Sequence, residues 1–243
     1  MRQWLFSIII LAGTCSGIEA SCIDPSRLVR STVNITREFS EEERRAEPGV
    51  LGIRGTGWFL SPRLIVTAAH VAEAMHLAAQ DWKEIEIKER DNKGSIAARI
   101  MRVAGSGSEK IAVLELKASF PGATVLQNRM GPLIPEERLV SLAYPKSELR
   151  FAGGRFVRYG DDASFAGMAL LEMHDGNDRL VLDHGASGAP VLDCEGRVVA
   201  VVSTIITQTI NFLSNAVRVS TAWQTPNVVS IPIDVLKDFS WSE

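Results

Sequence analysis

A succession of short β-rich runs, punctuated by Gly, Pro, Asn and Asp, limits what this chain can become. The first series reads GWFL (57–60), LIVTAA (64–69), EIEIKE (84–89), IAARIMRV (96–103) and IAVLEL (111–116). A second reads LVSLAY (139–144), RFVRYG (155–160), ALLEM (169–173), RLVL (179–182), VVAVVSTI (198–205) and NVVSIPI (227–233). Several alternate with period two, as half-buried antiparallel strands do. No long amphipathic helices alternate with them, which argues against a parallel α/β fold. GPLIPEER (131–138) divides the two series. The expectation is an all-β protein of two antiparallel β-barrels, because closing each sheet removes its exposed edges. The first barrel is placed at about 50–130 and the second at about 137–233. Helical segments are expected only at HVAEAMHLA, from residue 70, and at about 232–239, where Pro232 sits close to a helix start.

Two segments stand out chemically. In GTGWFLSPRLIVTAAHVAEA (55–74) an apolar strand runs into Thr67-Ala68-Ala69-His70. In DHGASGAPVLDCEGRVVAVVST (183–204), Ser187 is flanked by Gly185 and Gly188. A serine nucleophile needs a base for its proton and backbone donors for the developing oxyanion. Glycines around Ser187 permit a tight turn on which the N–H groups of Gly185 and Ser187 converge. His70, held at a strand-to-helix corner, is a suitable base.

TAAH followed by GxSGxP, in this order and in strand context, resembles the trypsin-like (chymotrypsin-fold) serine peptidases, particularly the bacterial exported, high-temperature-requirement type. The resemblance runs from about residue 50 to 239. GTGWFLSP is similar to the family's first strand, LVSLAYP to the strand opening its second barrel, and NVVSIPIDVLKDF to its last strand and C-terminal helix. It implies an endopeptidase acting on protein or peptide through a Ser187 acyl-enzyme, with His70 as general base. By the same resemblance Val181, His184, Ser203 and Thr204 border the substrate pocket. An apolar Val181 at its floor implies small or hydrophobic side chains at the cleavage site.

One position departs from the pattern. In the family an Asp directly precedes the strand that here reads IAVL, and this chain has Lys110 there. That acid normally holds the imidazole in one tautomer and stabilises the imidazolium. An ammonium would instead disfavour the protonated ring. Three readings follow: Glu109 substitutes, the acid comes from elsewhere, or the fold is kept without efficient catalysis. The last gives a pseudoprotease that binds protein or peptide through its cleft. An esterase-like hydrolase of activated esters, less demanding of the acid–base pair, is a further alternative. Ala186 occupies the place where proteolytically activated relatives carry an Asp, so activation by a freed N-terminus is not expected.

The chain has 243 residues, 46% hydrophobic and 23% charged, with a net charge of −3, and no basic stripe that would suit nucleic acid. No HExxH or Cys/His spacing suggests a metal, and no cofactor is implied. MRQWLFSIIILAGTCSGIEA places one Arg before about ten apolar residues and then small ones, which reads as a signal peptide at 1–20, cleaved after Gly17 or Ala20. The expected localisation is secreted or periplasmic. The apolar run is shorter than the roughly 20 residues of a membrane span, so the mature chain is expected to contain none. Residues 21–49 read as an N-terminal extension in which SEEERRAEPG (40–49) is a mobile stretch or a short helix. Cys22 and Cys194 either pair in an oxidising compartment or remain free thiols. Asn34-Ile35-Thr36 is a formal glycosylation sequon.

Overall fold

The computed structural model describes residues 22–24, 28–90, 92–107, 109–177, 182–205, 207–212, 215–220 and 225–239. The expected signal peptide at 1–20 lies outside them.

Six antiparallel strands close a first barrel in the order β1-β2-β3-β6-β5-β4. They are β1 (Thr32–Glu38), β2 (Gly52–Ser61), β3 (Leu64–Ala68), β4 (Lys83–Glu89), β5 (Asn92–Ser106) and β6 (Glu109–Leu116). A second barrel closes as β10-β11-β14-β9-β8-β7. Its strands are β7 (Arg138–Ala143), β8 (Arg150–Tyr159), β9 (Ala169–His174), β10 (Pro190–Leu192), β11 (Val198–Ile205) and β14 (Val228–Pro232). Between the last two, β12 (Thr207–Phe212) and β13 (Asn215–Ser220) form a separate hairpin.

The run Ile111-Ala112-Val113-Leu114 is apolar throughout because β6 is buried on both faces. Ala112 and Leu114 fill the first barrel with Val33, Ile35 and Ile65. Ile111 and Val113 instead join Trp58, Val140, Leu142, Val201 and Ile231 in a core shared by the two barrels. Leu139, Phe156, Leu171 and Val199 fill the second.

The N-terminal extension is part of the first barrel. β1 pairs with β2 along its whole length and with β4, closing the sheet. Val33 and Ile35 are fully buried. Its charge is neutralised locally: Arg37 Nη2 lies 2.7 Å from Glu43 on α1 (Glu41–Ala46). The Arg37 hydrogen bond holds the Glu43 carboxyl well below the usual carboxylate range. SEEERR therefore forms the short helix of the two expected alternatives, started by a Ser40–Glu43 capping box. The sequon falls within β1 with Asn34 buried, where a glycan is incompatible with the closed barrel.

Both expected helices are shorter than the sequence pattern suggests. After β3 the chain forms α2 (Ala69–Ala74), which ends as His76 takes a left-handed conformation, φ 54°. The expected C-terminal helix at 232–239 is a single 3-10 turn, Ile233–Leu236. Ile233 and Leu236, three apart, eclipse on one side and are both buried. Of RLVL, residues 179–181 lie outside the described residues, and Leu182 is buried in a loop.

Cys22 and Cys194 are joined as a disulfide with Cα atoms 4.8 Å apart, tying the start of the described chain to the β10–β11 turn. In that turn Asp193 is buried, and its Oδ1 accepts from the backbone N–H groups of Glu195 and Arg197 at 2.9 and 3.0 Å. Its Oδ2 meets Arg197 Nε at 2.9 Å. Burial alone would raise the Asp193 pKa, but the hydrogen bonds from Arg197 and Glu195 outweigh it and hold it below the ordinary 3.8. A depressed carboxylate contributes stability that is present above the unfolded pKa and lost as pH falls through the folded one. The stability difference between wild type and Asp193→Asn is therefore expected to be flat above about pH 5 and to shrink on acidification below it, measured by urea unfolding from pH 2 to 8.

Candidate active site

His70 is the second residue of α2, immediately after β3 delivers the chain to the rim of the first barrel. Ser187 lies in the turn before β10, at the facing rim of the second. Both line one cleft of about 470 Å³. Ile53 and Arg54 of β2 and Val71 and Ala74 of α2 border it on one side, with Lys146, His184 and Gly185 on the other.

The turn around Ser187 needs its glycines. Gly185 has φ 97° and Gly188 φ 92°, a region L-residues rarely adopt. A Cβ at 188 would overlap the Thr56 carbonyl and the Thr67 hydroxyl. Within the turn Ala186 N–H donates to Asp183 O at 2.8 Å, and Gly188 N–H to Val202 O at 2.8 Å. Among the described residues the N–H groups of Gly185 and Ser187 have no protein acceptor. Two unengaged backbone donors beside a serine are what an oxyanion hole requires. The Ser187 hydroxyl itself donates to Ser203 O at 2.9 Å.

Ser203 is the extra residue of a bulge in β11, where the register with β14 shifts between Val202 and Thr204. It is 1% exposed, whereas Thr204 is exposed. The bulge turns the Ser203 carbonyl toward Ser187. His184 is exposed at the cleft margin. Val181 lies outside the described residues. Glu109 begins β6, and its side chain is outside them as well. Lys110 is half-buried one residue further on; since Ala68 pairs with Ile111, Lys110 stands level with the start of α2. The register thus brings the departing position to the base of the His70 corner. His76 and His174 lie away from the cleft, His76 with Nε2 2.8 Å from a Glu47 carboxylate oxygen.

Sequence reasoning missed the group that joins the halves of the site. Thr56 on β2 is fully buried and satisfied at every polar atom. Its N–H donates to Ser187 O at 3.0 Å, and its hydroxyl donates to Gly185 O at 2.6 Å. The same hydroxyl accepts from Tyr144 N–H at 2.9 Å, while its carbonyl accepts from Thr67 Oγ1 at 2.8 Å. The signal was the hydroxyl residue in GTGWFL, an odd choice for a buried strand unless something across an interface needs it.

Two closed six-stranded barrels with a histidine and a serine facing each other across one cleft define the chymotrypsin fold. The family model for the trypsin-like peptidase domain matches residues 55–201, and the chain belongs to that family. Among solved structures it is similar to the active form of the Rv3671c protease from M. tuberculosis, with 18% identity and a TM-score of 0.59 over 88% of this chain and 81% of that one. The inactive form of the same protease superposes with a TM-score of 0.56 at 16% identity, covering 88% of each chain. No curated protein sequence matches the chain.

Replacing Thr56 by Val keeps the shape but leaves the Gly185 carbonyl and Tyr144 N–H unsatisfied. Thr56→Val is expected to lower unfolding free energy by about 2 kcal/mol or more, at the usual cost of stranding buried polar groups. Thr56→Ser keeps the hydroxyl and should cost only about 1 kcal/mol for the lost methyl. Chemical denaturation of the pair checks this.

Proposed function

We propose that the chain is an exported serine endopeptidase working by acyl-enzyme chemistry, and the observation that carries this is the Gly185–Ser187 turn facing His70. Ser187 Oγ leaves Ser203 O, turns to His70 and attacks the substrate carbonyl as the imidazole takes its proton. The oxyanion settles on the N–H groups of Gly185 and Ser187. His70 then protonates the leaving amine, the C–N bond breaks, and water hydrolyses the acyl-enzyme with His70 again as base. His184, Ser203 and Thr204 border the pocket for the acyl side chain. Glu109 supplies the carboxylate for His70.

Export rests on the sequence of residues 1–20, and the Cys22–Cys194 bridge is of the kind kept in oxidising compartments. The competing reading, a pseudoprotease binding protein or peptide in this cleft, is favoured by Lys110 at the usual acid position.

Mature protein is expected to react with a fluorophosphonate probe and to cleave a mixed peptide library, with both signals absent in Ser187→Ala. No labelling at any pH between 5 and 9 (roughly the range over which a histidine base titrates) would favour the binding protein. If Glu109 serves His70, Glu109→Gln should lower kcat by up to about four orders of magnitude, the loss typical of a triad deprived of its acid. An unchanged kcat moves that role to another residue.

A further inference from the structure

The cleft is unevenly charged. On the side of Ser187 away from Ser203 and Thr204 it is bordered by β2, α2 and the turn following β7, and the cationic side chains Arg54 and Lys146 stand at its margin beside His184. Among the described residues no Asp or Glu lines it. Among the described residues Lys146 meets one carboxylate, that of Asp183, 3.8 Å from its Nζ, which also caps its neighbour by accepting from His184 N–H at 2.7 Å. Arg54 has no such neutraliser: Nη1 donates to the Ser147 hydroxyl at 3.3 Å, and among the described residues it pairs with no carboxylate. Between the charges the wall is apolar, formed by Ile53, Val71 and Ala74.

Arg54 is also well placed. It sits two residues before Thr56 on β2, with its backbone paired to Thr36, so the bonds that fix Thr56 to Gly185 also fix the backbone from which Arg54 extends beside the nucleophile turn. On the other side, Lys146 N–H donates to His184 O at 3.1 Å, tying the second cation to the same turn.

The chemistry gives this half of the cleft a direction. His70 must hand a proton to the departing amine, so the leaving half of the substrate extends past His70. That is the side where α2 carries Val71 and Ala74. We propose that this sector is a leaving-group subsite selecting peptides with an Asp or Glu among the first two residues after the scissile bond, its methylenes against Ile53 and Val71 and its carboxylate toward Arg54 and Lys146. This rests on the acyl-transfer reading for its polarity, but the recognition itself does not require turnover.

The test uses the Ser187→Ala protein, so that binding is read without cleavage. Fluorescent peptides identical except for Glu or Gln at the two positions after the bond cleaved best by wild type are titrated by anisotropy; if wild type cleaves nothing, a library scanned for binding supplies the frame. The Glu peptide should bind roughly fivefold tighter at low salt, the size of one partly exposed charge pair, and the difference should fade at high salt. Adding Arg54→Glu should abolish or invert the preference, and Lys146→Glu should reduce it. Circular dichroism of both variants checks that they fold. Equal affinity for the two peptides, a preference that survives both substitutions, or no measurable binding of either would overturn the proposal. A Glu preference that persists in a protein with no Ser187-dependent cleavage overturns the enzymatic reading and leaves the subsite standing.

Discussion

The hydroxyl of Thr56 is the pivot of the molecule. The proposed acyl-enzyme chemistry divides its groups between two barrels, with His70 on the first and the serine turn on the second, so it requires their relative position to be fixed to a fraction of an ångström. An apolar interface resists separation but tolerates sliding. Directional bonds prevent that, and Thr56 makes three across the junction, to Ser187, Gly185 and Tyr144. Thr67 in turn holds the Thr56 carbonyl, and Gly188 is glycine because these groups leave no room for a Cβ. The Gly185 and Ser187 carbonyls are engaged on the barrel side, while among the described residues the N–H groups of the same residues have no protein acceptor.

Two charge arrangements around the cleft have opposite characters. Asp193 is buried, saturated with donors and remote from the chemistry, and it stiffens the turn next to the disulfide. Lys110 is half-buried and stands level with the start of α2, one residue before His70, and a positive charge brought to that imidazole would work against an imidazolium. An oxyanion hole made of backbone is indifferent to such a substitution. In the proposed chemistry its donors are held by the backbone conformation at Gly185 and by hydrogen bonds from Thr56, so their placement does not depend on which residue serves His70.

Much of this was legible in the sequence because the strands of the barrels are short, apolar and well punctuated. The runs beginning at Leu64, Ile111, Leu139 and Val198 each became a strand. β1 was hidden because TVNITRE has only Val33 and Ile35 as inward residues, and the charge of Arg37 looks external until Glu43 folds over it. The hairpin β12–β13 escaped because TQTINF and NAVRVS carry no strong turn signal between them. Periodicity overstated the C-terminal helix, since Ile233 and Leu236 satisfy a 3-10 turn as well as an α-helix. At the site, TAAH and GASGAP located His70 and Ser187, whereas Thr56 and Arg54 meet the nucleophile turn only through the packing of one barrel on the other, and Lys146, distant in sequence, reaches it through the closure of the second barrel.

The bridge between Cys22 and Cys194 has a consequence for how the molecule comes into being. Its partners are 172 residues apart, and Cys194 follows Ser187 directly into the β10–β11 turn. At ordinary synthesis rates of about 5–20 residues per second, roughly ten to thirty seconds separate the appearance of the two thiols. During that interval the first barrel can close around β1 before Cys194 exists to meet Cys22. The bond becomes available only after the nucleophile turn has emerged, so its formation marks a chain whose second barrel has begun to assemble, and an oxidant acting earlier cannot make it.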